Sequence, residues 1–253
     1  MKNLLRYLKQ LLIFVLIINL SILNVPLSGA EIVVDNRVPA DQRPTIDRAP
    51  NGVPVINLSK TTNKGVSYNR FETYNVTTQG LILNNSLNMG TSVLGGVVYG
   101  NPNYQSNGLE ARIVVNEVTG SNRSNIFGTT EMFGRTAELV MINPNGILLN
   151  GAGFINIPRV TLGTGRAVFD GDDFKGINIS NGRITVEGSG IDAGKVNYFE
   201  ILARAVELYG NIKGNDVKIN TGIGYYDYFN RNFAPGNTVL DDKIEFGIDA
   251  YLL

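Results

Sequence analysis

The pentapeptide Asn143-Pro144-Asn145-Gly146-Ile147 constrains this chain more than any other segment. Asn143 precedes a proline and is pushed toward extended or polyproline backbone. Pro144 fixes its own φ near the value wanted at the second position of a turn, and Asn145 and Gly146 are residue types that tolerate positive φ. Short apolar runs, Glu138–Ile142 and Ile147–Leu149, flank the pentapeptide. The reading is strand, tight turn, strand, with no helix through the turn. A second element of the same kind, Asn101-Pro102-Asn103-Tyr104, stands upstream.

From about Gly65 onward the chain consists of short β-rich runs punctuated by Gly and Asn. The stronger ones are residues 76–83, 93–99, 112–118 and 138–142. Ile177-Asn178-Ile179, Ile184-Thr185-Val186 and Val217-Lys218-Ile219 alternate apolar and polar residues, the period of a half-buried strand. Many short strands with frequent turns imply an all-β sandwich, barrel or solenoid. Residues 181–188, 206–210 and 215–222 look like degenerate copies of one strand-turn unit, and self-similarity near twenty residues favours stacked rungs. One segment disagrees locally. Residues 198–208 place Glu200 and Arg204 at i,i+4 and Ile201, Ala205 and Leu208 on one face, a helical pattern. The surrounding repeat needs a rung there, and tertiary context overrides propensity, so a strand is expected. Pro39, Pro44, Pro50 and Pro54 make the stretch before Gly65 unsuited to helix or central strand. It reads as an extended segment covering the end of the solenoid, or as a linker.

Composition removes much of enzymology. The chain has no histidine and no cysteine, so no Ser-His-Asp triad, Cys-His pair or imidazole metal site can be built. No phosphate loop or dinucleotide fingerprint is present. Neither a catalytic centre, a cofactor nor a metal site is expected. Acid pairs at Asp172-Asp173 and Asp241-Asp242 read as solvated loop charges. The aromatic group Tyr225, Tyr226, Tyr228 and Phe229 around Asp227 fits either a sugar platform or a hairpin packed on the solenoid wall.

The first thirty residues carry a basic start (Lys2, Arg6, Lys9), an apolar run over residues 11–20, and the small residues Ser28-Gly29-Ala30. This is the pattern of a cleaved export signal, with an uncleaved anchor as the alternative. All 22 acidic residues lie after Ala30, whereas three of the 22 basic ones lie before it, leaving a net charge of −3 on residues 31–253. A nucleic-acid partner is not expected, because it would favour a basic stripe. Exported proteins often rely on disulfides. A cysteine-free one suits either a large β-core or a chain that must stay threadable. The strand-like run 243–253 stops without a turn or polar cap, as expected of the first part of a longer protein.

The motifs have a recognisable order. Asn101-Pro102-Asn103-Tyr104 is followed by Ile113-Val114-Val115-Asn116-Glu117-Val118-Thr119-Gly120, Asn143-Pro144-Asn145-Gly146-Ile147, and Arg159-Val160-Thr161-Leu162-Gly163. This order resembles the N-terminal secretion domain of two-partner secretion exoproteins, the family of filamentous haemagglutinin and the contact-dependent growth-inhibition proteins. Gln79-Gly80-Leu81-Ile82-Leu83-Asn84-Asn85-Ser86 is most similar to the growth-inhibition branch. The resemblance extends through residues 198–205. It implies a right-handed parallel β-helix with extra-helical hairpins and an N-terminal cap. It further implies a non-enzymatic secretion and folding module, secreted through the periplasm to the outside or cell surface of a Gram-negative bacterium. The implied partner is an outer-membrane β-barrel transporter with periplasmic POTRA domains, and afterwards a host or neighbouring bacterial cell surface. Under this reading Asn101, Pro102, Asn103, Asn143, Pro144, Asn145, Gly146 and Ile147 either build turns or contact the transporter. Some growth-inhibition relatives hold a cysteine pair where this chain has Leu149 and Ala152. The alternatives are a cell- or glycan-binding adhesin and, with less support, a polysaccharide-cleaving β-helix enzyme.

Overall fold

The structure is a computed structural model that describes residues 32–105, 108–236 and 246–248. All of these fall in one compact unit, Glu31–Leu253. The expected export signal, Asp241-Asp242 and most of the run 243–253 lie outside the described residues.

The chain winds as a parallel β-helix. Strands β1 (Ile32–Val34) and β2 (Thr45–Arg48) precede the coils, separated by a 3-10 turn at Ala40–Gln42. The first coil is β3 (Pro54–Asn57), β4 (Val66–Tyr74) and a lone bridge at Val76. The second holds β5 (Leu81–Asn85), a hairpin of β6 (Gly90–Ser92) and β7 (Gly96–Val98), then β8 (Ile113–Val118) and β9 (Ser124–Ile126). The third is β10 (Thr129–Gly134), β11 (Glu138–Ile142) and β12 (Ile147–Leu149). The fourth is β13 (Ala152–Ile155), β14 (Arg159–Gly163), a hairpin of β15 (Gly165–Asp170) and β16 (Asp173–Ile179), and β17 (Arg183–Val186). The fifth is β18 (Ile191–Ala203) and β19 (Ala205–Leu208). The sixth is β20 (Ile212–Thr221), a hairpin of β21 (Gly224–Asp227) and β22 (Asn232–Pro235), and β23 (Phe246–Ile248).

Parallel pairing stacks these strands into three faces. The first runs β3-β5-β10-β13 and continues on the starts of β18 and β20. The second runs β4-β8-β11-β14 and continues on the ends of the same two strands. The third is β9-β12-β17-β19-β23. Period-two alternation aims one residue in two inward, and register then stacks like on like. Val114, Leu139, Val160 and Phe199 form one inner column, and Ile126, Leu149 and Val186 form another. All seven belong to one continuous apolar core. Asparagines stack as well: Asn84 Nδ2 donates to Asn57 Oδ1 at 2.7 Å, and Asn69 Nδ2 to Asn116 Oδ1 at 3.1 Å. Each pair joins consecutive coils and satisfies a polar group that burial would otherwise penalise.

Antiparallel strands close the start. β1 pairs with β4, and β2 pairs with β3, so both open ladders of the first coil are covered. The proline-rich stretch is thus the expected cap, although it contains a short 3-10 turn behind Pro39 and a buried strand led by Pro54. Proline is tolerated at a strand's first residue.

Several runs differ from expectation. Residues 198–203 and 205–208 are strand, as the repeat demanded, with a corner at Arg204 between two faces. Residues 93–99 are not one strand but the turn and second arm of the β6–β7 hairpin, with Gly96 at φ +73°. The run 76–83 is strand only from Leu81. Ile177-Asn178-Ile179 lies in an antiparallel hairpin rather than a rung. Of the three similar units, β17 and β19 stack on each other, while residues 215–222 stack on β18.

Two hairpins fold back outside the coil. β15, β16, β21 and β22 form one antiparallel sheet. Phe174, Ile177 and Tyr226 of that sheet, with Tyr228 in the turn after β21, form a second core with the outward residues Val115, Val140 and Ile142 of the second face. Gly163 makes room for it, since a Cβ there would come within 2.9 Å of Ile177 Cδ1.

Candidate functional site

The two Asn-Pro-Asn elements occupy different corners of the coil and use one local geometry. In the second coil, Asn101 Oδ1 accepts from Asn103 N–H at 2.9 Å, and Tyr104 N–H donates to Asn101 O at 3.2 Å. In the third coil, Asn143 Oδ1 accepts from Asn145 N–H at 2.9 Å, and Gly146 N–H donates to Asn143 O at 3.1 Å. Each motif is therefore an Asx turn superposed on a β-turn, with proline at the position whose φ it pre-sets. Of the two residues that tolerate positive φ, only Gly146 uses it, at +108°; Asn145 occupies the third position of the turn and the left-handed residue follows it.

The amide nitrogens then reach the preceding coil. Asn101 Nδ2 donates to Leu58 O of the first coil and to Asn84 O of its own coil, and Asn103 Nδ2 to Asn57 O and Leu58 O of the first. Asn143 Nδ2 donates to Asn122 O and Ser124 Oγ at 3.0 Å each, and Asn145 Nδ2 to Gly120 O at 2.8 Å. Asn101 and Asn143 are fully buried, whereas Pro102 and Asn145 are exposed. Ile147 points into the inner core. Tyr104 is buried too, and its hydroxyl donates to Asn85 Oδ1. Leu149 and Ala152 are both buried in the inner core.

A charged cluster that sequence reasoning missed lies under the outer sheet. Glu200 is fully buried on the outward side of β18. Its carboxylate accepts from Arg159 Nε and Nη2 at 3.1 and 3.0 Å, Thr161 Oγ1 at 2.7 Å, Tyr226 OH at 2.6 Å and Arg231 Nε at 2.7 Å. Arg159 also donates to Tyr228 O at 2.8 Å, and its guanidinium lies 3.7 Å from the Tyr228 ring centre. Burial alone would raise the Glu200 carboxyl. Hydrogen bonds from Tyr226 and Thr161, with the charges of Arg159 and Arg231, outweigh it and hold the group below the ordinary carboxylate value. Burial and the Glu200 carboxylate push the Tyr226 phenol upward. The aromatic group is thus a hairpin packed on the solenoid wall, with Tyr226 and Tyr228 buried. The sequence offered one signal, a lone Glu between Phe199 and Ile201, which the i,i+4 spacing to Arg204 disguised.

A second buried carboxylate, Glu131, accepts from Val93 N–H, Leu94 N–H and Ser92 Oγ, fixing the β6–β7 turn on the first face. Asp173 pairs with Lys175 at 2.7 Å beside the exposed tip of β15–β16, and Asp172 there is exposed. Among the described residues no group of three or more acidic side chains is placed to hold a metal ion.

The family described as TPS secretion domain matches residues 30–247. The protein named 16S rRNA endonuclease CdiA from Enterobacter cloacae is 40% identical over 179 residues, covering 70% of this chain and 5% of that protein. Filamentous hemagglutinin from Bordetella pertussis is 35% identical over 191 residues, covering 73% of this chain and 5% of that protein. The chain thus spans about one twentieth of these relatives, and the nuclease activity in the first name is that of the whole relative. The crystal structure of the filamentous hemagglutinin secretion domain superposes with a TM-score of 0.71 at 31% identity, covering 81% of this chain and 67% of that one. With its parallel coils, its outer hairpins and its match over nearly all of its length, this chain belongs to the TPS (two-partner secretion) secretion domain family.

Proposed function

We propose that this domain delivers an exoprotein, an adhesin or a contact-dependent toxin carrier, to a dedicated outer-membrane β-barrel transporter with periplasmic POTRA domains. It then nucleates β-helix growth on the far side. The route runs through the periplasm of a Gram-negative bacterium to the medium or cell surface, where the exoprotein meets a host or neighbouring bacterial cell. The observation that carries this reading is the coil-on-coil ladder: each of the three faces adds its strands in chain order, apart from the covering strands at the start. Contacts of short sequence separation form early and propagate, so a chain emerging from its N-terminus can fold as it appears. Buried apolar area, at roughly 25 cal/mol per Å², disfavours return through the pore. The absence of cysteine supports threading, because no covalent loop can close beforehand.

In this reading the Asn-Pro-Asn elements serve after export as clips between coils. Burial of Asn101 and Asn143 leaves them accessible to a transporter only in the extended chain. The test is to express residues 1–253 with and without the cognate barrel and quantify the protein in the medium. Export that depends on the barrel is expected; equal amounts in both strains overturn the proposal.

A further inference from the structure

The β6–β7 hairpin is apolar on both of its faces. The inner face packs Val98, with Leu94 of the turn, onto Val55, Ile82 and Phe133 as a small core outside the first face. A ribbon with one packed face ordinarily turns polar residues to solvent on the other. Here the outward positions are Met89 and Thr91 on one arm, Val93 at the turn, and Val97 and Tyr99 on the other arm, and all five are exposed. Thr91 stands opposite Val97 in the ladder. Exposure is 63% at Met89, 74% at Val93, 49% at Val97 and 74% at Tyr99. Four of the ten exposed large hydrophobic residues among the described ones thus lie between positions 89 and 99, so they form a patch rather than a scatter.

The patch is also uncharged. No acidic or basic residue stands between Glu72 and Glu110 in the sequence. The carboxylate beneath the hairpin, Glu131, is buried and spent on Ser92, Val93 and Leu94. Other exposed strands carry the charges that keep β-structure from pairing with strangers, Asp47 and Arg48 on β2 and Lys213, Asp216 and Lys218 on β20. The platform is held in place as well. Asn51 Nδ2 donates to Leu94 O at 2.7 Å and Asn84 Nδ2 to Tyr99 O at 2.9 Å, and a surface ordered before contact loses little freedom on binding.

Area and charge together select the occupant. An apolar patch of this kind is on the order of 300–600 Å², the size of the largest on an ordinary monomer and often functional. Two such patches face to face bury roughly 600–1,200 Å², the low end of specific interfaces, where transient complexes lie. In a two-fold contact each surface meets its own copy, so a charged patch repels itself at a cost of several kcal/mol. This patch carries no such penalty, and a charged partner finds nothing on it to pair with. We propose that the outer face of the β6–β7 hairpin docks a second copy of this chain, the two hairpins packing face to face across a two-fold axis with Met89 and Tyr99 as anchors. The proposal involves no step of export, so it and the secretion reading stand or fall separately.

Sedimentation equilibrium of the purified exported chain over about 5–500 µM tests it, and a monomer–dimer equilibrium with Kd on the order of 10–100 µM is expected. Met89→Lys and Tyr99→Lys each bring like charges together across the axis and should weaken dimerisation about tenfold or more. Both side chains point to solvent, so Tm at low concentration should not change. The control is Tyr209→Lys, which adds the same charge at a residue 57% exposed just after β19 and should leave Kd as it was. A chain that stays monomeric over the whole range overturns the proposal, as does a dimer that both hairpin variants leave intact or that Tyr209→Lys weakens equally. A monomeric chain that binds phosphatidylcholine vesicles, and loses them in Met89→Lys, also overturns it by giving the face to a lipid surface.

Discussion

Replacing Glu200 by Gln keeps its shape and removes its charge, isolating what the carboxylate contributes beneath the outer sheet. The side chain of Arg159 is only 8% exposed and that of Glu200 fully buried. Breaking such a pair from one side costs about 3–5 kcal/mol, because the surviving charge stays buried. Arg159 keeps Tyr228 O and a second carboxylate, Glu138, at 3.8 Å, so the lower end, about 3 kcal/mol, is expected. For a domain of this size that corresponds to a fall in Tm of roughly 6–12 °C. The loss should also be local at first. Arg231 and Tyr226 belong to the last outer hairpin, so amides of β21, β22 and their neighbour β16 should lose hydrogen-exchange protection before the inner ladders do. The matched control is Glu207→Gln, whose partner Arg183 is 53% exposed; a pair of that kind contributes less than about 1 kcal/mol. Urea unfolding of the full chain, with hydrogen exchange read by mass spectrometry, measures both. A Glu200→Gln loss no larger than that of Glu207→Gln, or protection lost evenly along the chain, would refute the argument.

Asn143→Ala removes two donors and one acceptor from a fully buried corner and should cost about 2–4 kcal/mol; Asn145→Ala, exposed and with its main bond to Gly120 O, should cost about 1 kcal/mol. Equal losses in thermal unfolding would contradict the coil-clip geometry. Gly146→Val should be worse than backbone strain of about 1–3 kcal/mol alone, since its Cβ would lie 2.6 Å from Arg183 O; a variant with wild-type Tm would dismiss the turn. Glu200 is held below its ordinary value, and the Asp35 carboxyl is held well below it by the hydrogen bond from Arg37. Their stabilisation is complete above the unfolded carboxylate values, about pH 4, and is lost as pH falls through the lower folded-state values. Tm should therefore drop below pH 4, less steeply in Glu200→Gln, and parallel pH profiles would count against it.

The coil was legible where residue chemistry is local. The Asn-Pro-Asn-Gly turn, the alternation in Ile184-Thr185-Val186 and the repeat spacing each state a backbone conformation without help from distant residues. What the sequence hid is what depends on which coils become neighbours. Ile177-Asn178-Ile179 alternates like a rung, yet it pairs antiparallel with β15 and β21 outside the coil. Glu200 reads as one half of a helical pair, yet Arg159 and Arg231 reach it from residues 41 and 31 positions away. Residues 93–99 look like one strand by their valines, yet Gly95-Gly96 is a hairpin-turn signal, and the turn is held by Glu131 from the next coil.

The pairing of β16 with β21 joins a hairpin of the fourth coil to one of the sixth, passing over a fifth coil that carries none. A solenoid is ordinarily a one-dimensional array in which each unit knows only its immediate neighbours. This bridge adds a next-nearest term that ties the fourth, fifth and sixth coils to one another, beyond the contacts each makes with its immediate neighbours. For a chain made available from its N-terminus, the tie also has a defined closing moment. Until residues 224–235 appear, β16 has a free edge, and the ring of Phe174 lacks the Tyr228 that meets it edge-on at 5.1 Å. Residues 224–235 therefore act as the latch for coils that precede them.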